Sequence, residues 1–134
     1  MTDPQQQARL EALADTLSAC ADALHQRLMR EIRSKGIAQG VAQALFENEV
    51  ALRQRANSLY LDAAVLAASG LETQQQQLLQ LTARAATIIE RIDRIKDLVD
   101  LAGELVGVGA ALASGKPEKM LSSLEKLKHH IEAM

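Results

Sequence analysis

Few residues in this chain could perform chemistry, and their spacing decides most of what they could do. The single cysteine, Cys20, falls on the apolar face of a predicted helix. A nucleophilic thiol needs a base within hydrogen-bond reach, and His25 is five residues on, which points it to a different side of the helix. The sequence therefore predicts a buried, inert thiol, and one cysteine allows no internal disulfide. His129 and His130 close the chain's last predicted helix, with Glu125 and Glu132 nearby. Glu125 and His129 at i,i+4 share a face, but a carboxylate-bridged metal bundle needs Glu-x-x-His on two helices, and that spacing is absent. The histidines are expected instead at the acidic end of the helix, where imidazolium is favoured.

The phosphate-binding patterns fail on their own terms. Gly115-Lys116 is followed by Pro117 where a phosphate loop requires Ser or Thr, and Gly109 stands one residue too far upstream. Gly107-Val108-Gly109 opens a dinucleotide pattern, but Leu112 takes the third glycine position and no strand precedes it. No G-x-S-x-G elbow exists. The expectation is a protein that is not an enzyme, with no cofactor, no metal and no small-molecule substrate.

The elements that would position any site are helices. Asp3-Pro4 is a capping carboxylate followed by proline at the first helical position. From there Leu10, Leu13, Leu17, Cys20, Leu24, Leu28 and Ile32 recur every three or four residues, ending at Gly36 as the expected left-handed cap. This predicts helix 1 over about 4–34. Helix 2 is predicted over about 37–69, with Leu45, Leu52, Leu59 and Leu66 every seven residues. Helix 3, over about 73–113, carries a seam of Leu78, Leu81, Ala85, Ile88, Ile92, Ile95, Val99, Ala102, Val106 and Gly109, the heptad spacing of coiled-coil-like packing. Helix 4, over about 117–133, opens at Pro117. The fold class is all-α: one domain over 1–134, an antiparallel helical bundle of three long helices plus a shorter C-terminal helix.

Composition supports that class. Of 134 residues, 48% are hydrophobic and 24% charged, which is foldable. Phe46 and Tyr60 are the only aromatic residues, so Leu, Ala, Ile and Val must fill the core, as narrow helix seams allow. A net charge of −2 with mixed signs gives no basic footprint for nucleic acid. Arg27, Arg30, Arg33 and Lys35 are expected to stabilise the end of helix 1. The start lacks a signal peptide, and no stretch of about 20 apolar residues could span a bilayer. The sequence expectation is cytoplasmic, with signal-less secretion the alternative.

One segment stands out. From Leu98 onward a second apolar stripe, Leu98, Leu101, Leu105, Val108 and Leu112, runs beside the first, and Gly103, Gly107 and Ala111 form a small-residue stripe suited to close helix approach. These eight residues are the candidate interaction face. The expected function is a non-catalytic protein–protein interaction module of adaptor, chaperone or immunity-type inhibitor character. Its partner is another protein or a second copy, and a homo-oligomer is the expected state. The competing expectation is a membrane-active, pore-former-like protein using residues 98–113, against which Asp100 and Glu104 weigh.

Overall fold

The computed structural model describes residues 4–67, 72–114 and 116–133. It is all-helical, with no strand among these residues: α1 Pro4–Ser34, α2 Gln39–Ala67, α3 Glu72–Arg91, α4 Ile95–Ser114 and α5 Pro117–Glu132. The capping residue Asp3, the expected end of helix 2 at Ser69-Gly70, the turn glycine Gly115 and Met134 fall outside the described residues, as does the Leu66 side chain.

The helices pack as a bundle. α1 lies against α2 and α3, α2 also carries α4, and α5 closes over α4 and the end of α3. The core is almost entirely aliphatic. Leu10, Leu13, Leu17, Leu24 and Leu28 of α1 meet Leu45, Leu52 and Leu59 of α2 and Leu78, Ala85 and Ile89 of α3. Close-packed interiors tolerate this because leucine and alanine interdigitate across helix seams without needing a polar partner.

One polar contact is set inside that core. Thr16 of α1 and Thr82 of α3 bring their hydroxyls to 2.7 Å. Thr16 Oγ1 also lies 2.8 Å from the Leu13 carbonyl, and Thr82 Oγ1 2.8 Å from the Leu78 carbonyl. One hydroxyl donates across the seam and the other to a carbonyl of its own helix, so both protons of the pair are used although Thr82 is wholly buried. Cys20 joins them, its Sγ donating to the Thr82 carbonyl at 3.3 Å.

The expected continuous helix over 73–113 is corrected: it is two helices, so the three long helices and one short helix become five. The break at 92–94 has physical causes that lie partly outside the segment. The buried stripe changes side there, from Leu78, Ala85 and Ile89 on α3 and Ile92 in the break to Leu98, Leu101, Leu105 and Val108 on α4. The Ile89 and Glu90 carbonyls, which the next helical turn would have bonded, are instead taken from α1. Arg27 donates to Ile89 O at 3.1 Å, and Arg30 to Glu90 O at 3.2 Å. Arg27 is 7% exposed and is held by Glu31 at 2.8 Å. α4 then restarts with the Leu98 amide bonded to Arg94 O, and Asp97 sits in its first turn where the helix dipole favours an anion. So two members of the basic cluster cap α3, a different helix from the one expected.

The end of α1 also differs from expectation. Lys35, with φ 58°, takes the left-handed position assigned from sequence to Gly36. The Gly36 amide bonds Glu31 O at 3.0 Å and the Lys35 amide bonds Ile32 O at 3.1 Å, the paired bonds of a Schellman cap. A side chain in that conformation is strained by roughly 1–2 kcal/mol. Lys35→Gly should therefore raise stability by about 0.5–1 kcal/mol, net of the entropy that glycine adds to the unfolded chain. Urea titration measures this, and a lower midpoint for the variant would contradict it.

Candidate functional site

The candidate interaction face on α4 does not stay together in space. Leu98, Leu101, Leu105, Val108, Ala111 and Leu112 are buried within the chain, while Gly103 and Gly107 face outward. The stripe that was to seek a partner is covered by the chain's own α2 and α5. The α5 side contributes Met120, Leu124, Leu127 and Ile131, all buried. The close-approach role moves to a different glycine. A Cβ on Gly103 or Gly107 would meet nothing within 4 Å, whereas one on Gly109 would lie 2.7 Å from Arg55 Cβ on α2. Gly109 is where two backbones come together.

With α4 turned inward, most of the exposed large apolar side chains among the described residues lie on α2, with Ile32 of α1 and Leu121 of α5 apart from them. Phe46 is 51% exposed, Leu61 84%, and Val50 and Tyr60 are also open. Positions 46, 50, 57 and 61 step by four and seven residues, so Phe46, Val50 and Leu61 line one stripe with Asn57 among them. Tyr60 edges the stripe, its hydroxyl donating to the Asp15 carboxylate of α1. That bond is the main reason its phenol ionises above the ordinary value. The heptad leucines of α2 point inward and this stripe points out, which is why apolar residues are found all round the helix. The sequence signal was available: both aromatic residues sit off the Leu45, Leu52, Leu59 register.

Behind the stripe, α2 is tied to α1 by a charged chain. Arg53 bonds Asp22 at 2.8 Å and Glu49 at 3.2 Å, and Glu49 meets His25 Nδ1 at 2.9 Å. Glu49 is nearly buried, and the Arg53 guanidinium beside it balances its charge.

A cleft of about 840 Å³ opens where the end of α3, the 92–94 bend, the start of α4 and the end of α5 meet. Its floor includes Ile88, Ile92 and Ile131, and its walls alternate Arg84, Arg91 and Arg94 with Asp97, Asp100 and Glu132. Such interleaving gives no field of one sign. His130 Nδ1 is buried without a hydrogen-bond partner, 3.8 Å from Glu104 Oε2. Among the described residues no three His, Cys, Asp or Glu side chains converge on a point where a metal could sit. Glu104, rather than Glu125, is the carboxylate nearest a terminal histidine.

Cys20 is the buried thiol its position predicts, with no exposed surface, and burial pushes its pKa up to about 12. This yields a sign for alkaline pH. Above the ordinary thiol value of 9.0 the unfolded chain loses this proton and the folded chain keeps it, so stability falls as pH climbs from about 9 toward 12. Tyr60 shifts in the same direction. Urea midpoints followed through that window should fall, and the Cys20→Ala variant should show a shallower slope. Equal slopes would contradict the assignment.

The glycines give a paired prediction. Gly107→Ala, in open space on a helix, should stabilise by about 0.5–1 kcal/mol, and Gly109→Ala, against Arg55, should destabilise by about 1–3 kcal/mol. Thermal melts of the two variants moving the same way would refute this placement.

No protein-family model, no curated protein and no solved structure matches the chain.

Proposed function

We propose that the chain is a non-catalytic helical protein–protein interaction module, of adaptor, chaperone or inhibitor type, whose docking surface is the outward stripe of α2. The observation that carries this reading is the placement of the two aromatic residues. In a chain that fills its core with aliphatic side chains, Phe46 and Tyr60 are both about half exposed on one helix face, beside Val50 and Leu61. Aromatic side chains supply large contact area at low entropic cost and are enriched in protein interfaces. A stripe at these positions matches the apolar face of a second amphipathic helix laid along α2.

The scaffold behind the stripe is an antiparallel α1–α2 pair with coiled-coil-like seams. Its support is the order of the cross-links. Asp15, Asp22 and His25 of α1 meet Tyr60, Arg53 and Glu49 of α2, falling as α1 rises. Arg9, Thr16 and Arg27 meet Gln76, Thr82 and Ile89 of α3, rising together, as the first and third strokes of an up-down-up bundle do.

The membrane-active alternative has less support. No helix among the described residues is long and apolar enough to cross a membrane. The 98–113 segment on which it depended has its large apolar side chains turned inward.

The test places a photoreactive phenylalanine at position 46 or 61 in the producing cell, with Lys128, on the exposed side of α5, as the control site. A discrete cross-linked product from 46 and 61 and none from 128 is expected, and a product of twice the chain mass would identify a second copy as the occupant. Equal smearing from all three positions, or no product at 46 and 61, refutes the α2 surface. The Leu61→Ser variant should lose the cross-link from position 46 with an unchanged melting temperature, since Leu61 is 84% exposed.

A further inference from the structure

The bend between α3 and α4 is not demanded by the residues in it. Arg91, Ile92, Asp93 and Arg94 include neither glycine nor proline. What ends α3 comes from elsewhere: Arg27 and Arg30 occupy the Ile89 and Glu90 carbonyls. In a continuing helix those two acceptors would take the amides of Asp93 and Arg94. The carbonyls are thus satisfied in either form, bent or straight.

The straight form has its own apolar seam. Extended through the bend, Ile88, Ile92, Ile95, Val99, Ala102 and Val106 would fall on one line at steps of three and four. In the bent chain Ile88, Ile95, Val99 and Val106 are only partly buried. Glu90 and Arg94 would also stand at i,i+4 in the favourable order. Here Arg94 is 83% exposed and 3.9 Å from Asp97. The bend itself is loosely filled: the 840 Å³ cleft opens on it, and α3 and α4 touch each other sparingly. Meanwhile α4 and α5 hold to one another, Ser123 Oγ reaching Gly107 O at 3.5 Å, with α4 seated on α2 and α5 on the end of α3.

We infer that residues 92–94 are a hinge through which two copies of this chain exchange their α4–α5 arms. In the exchanged dimer α3 and α4 form one helix over 72–114, α4 seats on α2 of the second copy and α5 on the end of its α3. The contacts of α4 with α2, Arg55 against Gly109 among them, and of α5 with α3 re-form between copies instead of within one, so what differs is the hinge, the Arg27 and Arg30 caps that it releases, and the newly apposed 88–106 seams. The exchange uses the inner side of α2 and not its outward stripe, so it stands or falls separately from the docking surface proposed above.

Mixed-chain cross-linking tests this. One chain carries Arg55→Cys and the other Gly109→Cys, both with Cys20→Ala, and the two are unfolded together, refolded at high concentration and oxidised. The expected product is a covalent dimer of the two different chains on a non-reducing gel, with a matching dimer mass by light scattering before oxidation. Asp93→Pro removes an amide the straight helix needs and should cut that product by about tenfold or more. Arg27→Met removes a cap that only the bent form needs and should raise it. If Arg27→Met fails to fold, the comparison of the parent pair with Asp93→Pro decides alone. Mixed chains that stay unbridged, while the same two cysteines on one chain bridge within a monomer, overturn the inference. So does a dimer yield that Asp93→Pro leaves unchanged.

Discussion

The contact on which this arrangement turns is the reach of Arg27 and Arg30 from α1 to the last carbonyls of α3. A helix end leaves acceptors that must find donors, and a buried end leaves them far from water. The guanidinium of Arg27 is itself nearly buried, and its charge is balanced by Glu31 at 2.8 Å. That one side chain therefore does two things. It stops α3, and it joins α1 to α3 at the level where the chain must turn. Everything downstream follows from the stop: α4 lies on α2, α5 folds over α4, and the second apolar stripe of the 98–113 segment is turned into the interior.

Helix type and rough extent were legible because apolar spacing at three and four residues is a local property. α1 begins at Pro4 and α5 at Pro117, each a proline at the first helical position. The break at 92–94 was not legible, because its cause sits some sixty residues away in α1. Reading the heptad seam straight through Ile92 and Ile95 was correct about the pattern and wrong about the backbone. The left-handed residue at the end of α1 was misplaced by one position for a related reason. Glycine is the commonest occupant of such a site, and here Lys35 takes it while Gly36 supplies the following amide.

The candidate face on α4 was misjudged in accessibility and not in character. Its large side chains are apolar and do need cover, but α2 and α5 supply it. Among the small residues, the one forced by contact with Arg55 is Gly109, which belongs to the seam that runs through Val106 and not to the Gly103, Gly107 and Ala111 stripe. The α2 stripe was overlooked because attention to the heptad leucines hides residues one position away from them. Phe46 follows Leu45, and Tyr60 follows Leu59.

The hydroxyl pair of Thr16 and Thr82 acts on a problem that an aliphatic core creates. Leucine and alanine ladders fit one another almost equally well when one helix slides by a turn along its neighbour. Sliding α1 past α3 by a turn would part the Thr16 and Thr82 hydroxyls and carry the Cys20 thiol away from the Thr82 carbonyl. The correct alignment alone keeps both cross-helix contacts, so this small polar island serves as a vernier mark between two otherwise unnumbered scales.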